Sequence, residues 1–258
     1  MGIMPFWAGK SGPGREARAA GRIWQIDAAR GVAIILMAFF HLLVDLRDFF
    51  GVAGVVYFEP PWYYVGKASA VLFMIVAGIS CRLSKSNIKR GLKVLAAGML
   101  ITVATYAYGP TRAVYIRFGI LHFLGAAMII TGLMGKIPIR DRARLLVWRS
   151  AAVLSLAVGY VFSQMRVRQP FLFPLGLVTD SFRSYDYYPI FPWIGVFFAG
   201  MAAGSIVVKN KEKLASFKQG RAARSLCLLG RHSLPIYMLH QPAMLAVLYA
   251  VFFALRLF

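Results

Sequence analysis

Cysteines, histidines and acidic residues are scarce in this chain of 258 residues. Its two cysteines, Cys81 and Cys227, lie in no CxxC or cysteine–histidine cluster, which excludes a disulfide framework and a zinc module. Charged residues make up only 15% of the sequence, whereas a typical soluble domain has about a quarter. With so few charges and so many apolar residues, a disordered chain is excluded as well.

Apolar residues fill 59% of the sequence, which is too many for one ordinary soluble core. A helix crossing a bilayer needs about 20 mostly apolar residues, and several stretches meet that requirement. They are residues 24–46, 63–82, 91–108, 117–135, 148–165, 189–208 and 234–256. The sequence therefore predicts an all-α, polytopic bundle of about seven transmembrane helices. We expect residues 1–22 to be a basic leader, not a cleaved signal peptide, and residues 23–258 to form a single domain.

Positive charge is concentrated in alternate connections between the predicted helices. Lysine and arginine number 30 against 9 acidic residues, and 21 of the 30 fall before the first helix or in every second loop. Only seven fall in the intervening loops and the C-terminal end. By the positive-inside rule this predicts a cytosolic N-terminus and an outward C-terminus. The net charge of +21 then indicates contact with anionic lipid, and nucleic acid is not an expected partner.

The first predicted helix carries a polar face inside an otherwise apolar span. At 100° per residue, its ionisable residues project from one side of the helix. They are Asp27, Arg30, His41, Asp45 and Asp48. Charged groups in lipid are costly, so this face must point into the bundle or a wet cavity and is a functional candidate.

Two spacings on this face predict local pairs. Asp27 and Arg30 are i,i+3 neighbours that can neutralise each other, either as a helix anchor or as part of a site. His41 and Asp45 are i,i+4 neighbours, which allows the carboxylate to orient the imidazole as a base. A buried, satisfied histidine is the alternative for His41. Arg30 and His41 are separated by about 16 Å along the helix.

Further candidate residues lie at both ends of the later helices. Near the outer boundary, His122 is either a second base or a packing histidine, and the segment before the sixth helix combines charge with aromatic rings suited either to a sugar or to an ordinary interfacial belt. At the start of the last helix, charged, aromatic and amide side chains are candidates either for a ligand site or for a structural role beside the carbonyl that Pro242 frees. The outer candidates are Arg183, Asp186 and Trp193, and the inner ones are Arg231, Tyr237, His240 and Gln241. Lys67 is expected to snorkel to the lipid headgroups.

Three separated motifs resemble one family. RGVAIILMAFFH at 30–41 has an Arg-x10-His spacing, and it is followed by FRSYDYYPIFPWIGVFFAGMAAG at 182–204 and LGRHSLPIYMLHQP at 229–242. The first resembles the first-helix signature of the acyltransferase-three superfamily. Together they resemble the bacterial relatives of heparan-α-glucosaminide N-acetyltransferase, from Arg22 to the end of the chain.

This resemblance implies a membrane enzyme that moves an acetyl group from cytosolic acetyl-CoA to an amino sugar or glycan at the outer side, by way of a histidine and with no metal. His41 is assigned from the acyltransferase-three spacing, because the segment 47–62, where the lysosomal enzyme has its active histidine, contains none. Asp45 would orient His41, and Arg30 with Asp27 would mark the mouth of the donor channel. A bacterial plasma membrane is expected. The chain is shorter than usual members, which leaves a homodimer open.

Two other classes of function compete with an acyltransferase. An Asp/His/Arg face within a membrane also suits a proton-coupled or small-molecule transporter. Against a transporter, the polar residues are concentrated on one helix and no matching pair of broken helices is evident. A non-catalytic membrane scaffold is the third class, and it predicts that the protein neither binds nor hydrolyses acetyl-CoA.

Overall fold

A computed structural model describes residues 23–108, 114–138 and 140–255, without the side chains of residues 141 and 142. The predicted basic leader, 1–22, lies outside the described residues. The structure is 76% helical, and no strand forms among the described residues. The long helices are α1 (Trp24–Asp48), α2 (Trp62–Leu83), α3 (Asn87–Tyr108), α4 (Ile120–Met134), α5 (Asp141–Ser163), α6 (Ile190–Lys209) and α9 (Ser233–Ala254). A 3-10 helix (Pro170–Leu175), α7 (Lys211–Ser216) and α8 (Arg221–Arg231) complete the described elements.

Each of the seven predicted spans contains one long helix among the described residues, but one of these helices is too short for an ordinary crossing. In the described part of the chain, six helices are long and apolar enough to span a bilayer. The exception is α4, whose 15 residues measure about 22 Å, since a helix rises about 1.5 Å per residue. The predicted count of seven is therefore six full-length candidates plus one short apolar helix that lies inside the bundle.

Sequential helices run in alternating directions, so the basic connections collect at one end of the bundle. Close contacts between Gly132 and Ile88 and between Gly204 and Arg82 join the ends of helices at this end. Trp24 lies there too, since its indole donates a hydrogen bond to the Phe217 carbonyl at 3.1 Å. We call this end of the molecule the basic end and the other the far end.

The core is centred on α4, which packs against α3 and also contacts α2 and α6. Phe123 of α4 and Phe197 of α6 are fully buried, with ring centroids 6.4 Å apart. Helix α9 is different, because all of it is described and none of its residues is buried. Its contacts with the bundle are made mainly along α1. The large apolar side chains that α9 exposes, such as Phe253, suit a lipid environment.

Helix α8 is amphipathic and packs tightly across the start of α1. Its Gly230 faces the Asp27 carbonyl, and Gly31 of α1 faces the Leu226 carbonyl so closely that a Cβ atom on either glycine would overlap with backbone. Cys227 is fully buried between them and donates through its thiol to the Trp24 carbonyl at 3.2 Å. The predicted inner loop thus contains a helix that is anchored to the first span.

Candidate functional site

Two histidines from the ends of the sequence meet in the bundle. Helices α1 and α9 run parallel, and their contacts place His41 against His240, with 3.2 Å between His41 Nδ1 and His240 Nε2. The two ring centroids are 4.8 Å apart. Further toward the far end, Phe50 contacts Tyr249, which keeps the same pairing of the two helices. Both histidines are partly buried.

The hydrogen bonds of this pair determine which ring nitrogens carry protons. His240 Nδ1 lies 2.7 Å from the Tyr237 carbonyl, which can only accept, so this nitrogen is the donor and Nε2 holds the lone pair. His41 Nδ1 lies 3.0 Å from the Met37 carbonyl and must also be a donor. It shares its proton between Met37 and His240 Nε2. The remaining nitrogen, His41 Nε2, keeps its lone pair and has no hydrogen-bond partner among the described residues.

Asp45 and Gln241 form a second contact between α1 and α9, one turn beyond the histidines. Gln241 Nε2 donates to Asp45 Oδ1. Asp45 is 0% exposed, and its second oxygen, Oδ2, has no hydrogen-bond partner in the described part of the chain. Gln241 Oε1 is likewise buried without a donor among those residues. Two hydrogen-bond acceptors therefore lie uncommitted beside the histidine pair.

The predicted hydrogen bond between His41 and Asp45 is wrong. His41 is held by Met37 and His240, and Asp45 is held by Gln241. The i,i+4 spacing allowed the local pair, but partners from α9 take both side chains instead. Asp48, the last acid of the polar face, is exposed and accepts a hydrogen bond from the Tyr57 hydroxyl at 2.9 Å.

At the basic end, the predicted Asp27–Arg30 pair is confirmed, at 3.2 Å between Arg30 Nη1 and Asp27 Oδ1. Arg30 Nη2 also donates to Ser80 Oγ of α2 at 2.8 Å, and Nη1 lies 3.4 Å from the Gly230 carbonyl. Arg231, from the end of α8, approaches the second Asp27 oxygen at 3.6 Å. We call Asp27, Arg30, Ser80 and Arg231 the basic-end cluster, and it ties α1, α2 and α8 together.

Both ring nitrogens of His122 are used within the fold. His122 is buried in the first turn of α4, where its Nδ1 accepts from the Gly119 backbone N–H at 3.2 Å. Thr102 donates its hydroxyl proton to the Ile116 carbonyl, so His122 Nε2, 3.0 Å away, must donate to Thr102 Oγ1. These bonds favour the packing alternative for His122 and leave no nitrogen for a second base.

Asp186 lies at the N-terminus of α4, where its Oδ2 accepts from the Ile120 backbone N–H at 3.0 Å. Burial raises the pKa of Asp186 to about 6, although this hydrogen bond and the charge of Lys67 favour the ionised form. Asp186, His122 and Tyr237 line a cavity of about 10 Å³. Because the Tyr237 ring also contacts His240, with centroids 5.4 Å apart, Tyr237 connects this cavity to the histidine pair.

Lys67 lies among aromatic rings, which the sequence did not predict. Its ammonium group is 5.4 to 5.5 Å from the ring centroids of Tyr63, Tyr188 and Trp193, within range of cation–π interactions. The expectation that Lys67 snorkels into the headgroups is therefore incomplete, because the side chain packs in a ring cluster beside Asp186. Arg183 is exposed and donates to the carbonyls of Asp180 and Phe182.

A larger cavity opens at the basic end, beside α7. Its volume is about 420 Å³, and its lining combines apolar side chains with an amide and an ammonium group. The lining residues are Ile206, Val207, Asn210, Lys213, Leu214 and Phe217. Among the described residues, no group of three or more His, Cys, Asp or Glu side chains is arranged to hold a metal ion.

Comparison with protein families gives one match that covers most of the chain. A family model described as heparan-alpha-glucosaminide N-acetyltransferase, catalytic, matches residues 22–242. The matched region starts just before α1 and ends one residue after Gln241, so it includes the histidine pair and the basic-end cluster. Comparisons with curated proteins and with solved structures give no match.

Proposed function

The chain belongs to the heparan-alpha-glucosaminide N-acetyltransferase catalytic family, and we propose that it transfers an acetyl group from acetyl-CoA at the basic end to an amino sugar or glycan at the far end. The observation that carries this proposal is the lone pair on His41 Nε2, which has no hydrogen-bond partner among the described residues. The His41 ring lies inside the membrane bundle, where Met37 and His240 fix its orientation. A base or nucleophile in that position is what acyl transfer requires.

The basic end is suited to acetyl-CoA because its charge and its cavity lie together. The connection from α6 to α9 carries six lysine and arginine residues and one acid, Glu212, and ammonium and guanidinium groups bind phosphate well. The cavity of about 420 Å³ beside Lys213 offers apolar surface for the nucleotide base. Arg231 is partly exposed at the same end, and Arg30 marks the point where the pantetheine arm would enter the bundle.

The donor and the histidine pair are separated by a distance that an extended pantetheine arm covers. Arg30 and His41 are about 16 Å apart along α1, since each residue adds about 1.5 Å. In this proposal His41 Nε2 either takes the acetyl group and passes it on, or removes a proton from the acceptor as it attacks the thioester. In both routes the carbon–sulfur bond of acetyl-CoA breaks and the acetyl carbon becomes bonded to the acceptor. The thiolate takes up the proton that the acceptor loses and leaves as the CoA thiol. His240 fixes the ring of His41 because its Nε2 accepts a hydrogen bond from His41 Nδ1.

The acceptor is proposed to approach from the far end. Asp186, Trp193 and the Lys67 ring cluster lie there with Tyr237 between them and the histidines. Aromatic faces and a carboxylate are suited to stacking on a sugar ring and hydrogen bonding its hydroxyl groups. Arg183 is exposed at this end and is available to an acceptor. With the basic end in the cytosol of a bacterial cell, this arrangement moves the acetyl group outward.

The proposal is tested by acetyl transfer in sealed vesicles that contain the purified protein. Acetyl-CoA labelled in the acetyl group is supplied on one side and glucosamine or a short glycan on the other. We expect labelled acceptor with the wild type and none above background with His41→Ala. The matched control is His232→Ala, because His232 is exposed and its ring contacts the Leu228 carbonyl, away from the histidine pair.

Three outcomes decide between the alternatives. Transfer by His41→Ala at the wild-type rate removes the proposed mechanism. Loss of transfer in His41→Ala with the same melting temperature as the wild type supports it. A wild type that carries the acceptor across the membrane unmodified, with uptake that follows a proton gradient, favours a transporter instead.

A further inference from the structure

Asp45 and Gln241 present two hydrogen-bond acceptors to one small region between α1 and α9. Their mutual bond uses Asp45 Oδ1 and one Gln241 N–H, so Asp45 Oδ2 and Gln241 Oε1 are left over. Both oxygens are buried, and neither has a donor among the described residues. Buried polar atoms are normally satisfied, so this arrangement indicates a group with N–H or O–H donors that binds there.

The surroundings of Asp45 indicate which kind of donor group binds there. Asp45 is 0% exposed and forms no ion pair with any residue in the described ranges. The nearest arginine in sequence, Arg47, donates to the Ala53 carbonyl at 2.9 Å, and Asp48 accepts from Tyr57. A buried carboxylate without a cation is costly. An incoming cation with several donors offsets that cost, whereas a hydroxyl group brings one donor and no charge.

The histidines on the same helices do not supply that cation. His41 Nδ1 points to Met37 and His240, and His240 Nδ1 points to Tyr237. A proton added to His240 Nε2 would face the proton already on His41 Nδ1, so the pair is arranged as two neutral rings. The side chains that face Asp45 from α1 and α9 are therefore neutral or negative.

From this geometry we propose that Asp45 and Gln241 form the subsite that binds the protonated primary amine of the acceptor, and so select N-acetylation over O-acetylation. The inference rests on the proposed function and adds which atoms recognise the acceptor. The subsite lies one helical turn from His41 toward the far end, about 6 Å along α1. An amine arriving from that end meets Asp45 before it meets His41.

The position of Asp45 between the far end and His41 allows a reaction in which both protons of the amine have an acceptor. The ammonium group gives one proton to Asp45 Oδ2, which leaves a neutral carboxylic acid and a nucleophilic amine. The amine nitrogen attacks the acetyl carbonyl carbon and the carbon–sulfur bond breaks. His41 Nε2 takes the second proton from nitrogen and passes it to the thiolate. The products are the N-acetylated acceptor and the CoA thiol, and the proton on Asp45 is released to the far side.

The first experiment needs no substitution. Purified wild type in vesicles is given glucosamine or glucose, which differ only in an amine or a hydroxyl at one carbon, and acetyl transfer from acetyl-CoA is measured for each. Binding of each sugar without acetyl-CoA is measured by calorimetry. We expect the amine to be preferred by at least about 10-fold in both measurements, as for a charge-assisted hydrogen bond.

The second experiment removes the charge with Asp45→Asn and the second acceptor with Gln241→Leu. We expect amine binding to weaken by roughly 10- to 100-fold in Asp45→Asn and by about 10-fold in Gln241→Leu. Hydrolysis of acetyl-CoA, which uses water instead of the amine, is measured beside it and should fall by less than amine binding in both variants. The matched control is Asp48→Asn, because this acid is exposed at the end of the same helix.

The possible results distinguish a failure of the amine subsite from a failure of the proposed acetyl transfer. Equal use of glucosamine and glucose by the wild type overturns the subsite, and so does unchanged amine binding by Asp45→Asn. A parallel loss of acetyl-CoA hydrolysis in Asp45→Asn also overturns it, because the residue then supports the chemistry or the fold. Asp45-dependent amine binding without any acetyl transfer leaves the subsite standing and rejects the proposed function.

Discussion

The two polar groups on α1 differ in how completely they are bonded. In the basic-end cluster, Arg30 bonds Asp27, Ser80 and the Gly230 carbonyl, and Asp27 also has Arg231 nearby. In the group toward the far end, two oxygens and one imidazole nitrogen have no bonding partner among the described residues. Paired charges hold three helices together, whereas the acceptors and the lone pair without partners among the described residues are the atoms that the proposed function assigns to a substrate.

This contrast predicts that substitutions at the two ends fail in different ways. Loss of a partner in the basic-end cluster should lower the free energy of unfolding. Loss of a partner in the histidine pair should lower the rate of acetyl transfer and leave folding nearly unchanged.

Arg30→Met tests whether the basic-end cluster is structural. The change removes one of the cations beside Asp27, which is 3% exposed, and breaking a buried pair costs up to about 3–5 kcal/mol. We expect a large drop in the melting temperature in detergent. The double variant Asp27→Asn, Arg30→Met should recover part of the loss, because the buried negative charge is removed together with Arg30. Equal stability of the single variant and the wild type would contradict the structural role.

Gly31→Ala tests the contact that anchors α8 to α1. A Cβ atom at this position overlaps the Leu226 carbonyl, and overpacking of this kind costs about 1–3 kcal/mol. We expect a lower melting temperature and faster proteolysis between α7 and α8. Gly54→Ala is the control, since no atom lies within 4 Å of a Cβ built there. A similar decrease in melting temperature in both variants would mean that the close contact between Gly31 and Leu226 does not stabilise the fold.

His240→Ala tests the positioning of His41. With only the Met37 carbonyl left to accept from its Nδ1, the His41 ring is less well fixed, and we expect acetyl transfer to fall by about 10-fold with little change in melting temperature. His240→Gln retains an acceptor oxygen and should recover part of the rate. The pH at which the rate is half-maximal should move in His240→Ala but stay near the wild-type value in His240→Gln. Loss of folding in both variants would point to a packing role.

Asp186→Asn tests a carboxyl group outside the spans, and its effect depends on pH. The pKa of Asp186 is raised to about 6 in the folded protein, so its contribution to stability is complete below its ordinary value of 3.8 and is lost as the pH rises through about 6. After allowance for solvent contact, the loss is on the order of 1 kcal/mol. The wild type should lose melting temperature between pH 4 and pH 7, and the Asn variant should lose less. If the melting temperatures of the wild type and the Asn variant changed with pH in the same way, a raised pKa of Asp186 would be contradicted.

Local patterns were predictable from the sequence because one helix determines them. The spans follow from apolar length, and the Asp27–Arg30 pair follows from its i,i+3 spacing. The polar face of α1 also lies where the helix periodicity puts it, with Asp27 and Asp45 buried and Asp48 exposed near the helix end. These features need no knowledge of neighbouring helices.

Partners supplied by other helices were not predictable in the same way. His41 bonds His240, which is 199 residues away, and no spacing along the chain indicates that contact. Lys67 contacts aromatic rings from its own helix, from α6 and from Tyr188 in the loop before α6, and His122 is fixed by Thr102 of α3. Apolar length also does not show that α4 ends after 15 residues inside the bundle.

Helix α9 brings His240 and Gln241 to the site although none of its own residues is buried. Its tilt relative to α1 is therefore set by a small number of side-chain contacts and by the lipid that covers the rest of its surface. A transmembrane helix adjusts its tilt to the thickness of the surrounding bilayer. Vesicles of shorter or longer acyl chains should accordingly change the separation of His41 and His240, and under the proposed function the rate of acetyl transfer should then depend on membrane thickness.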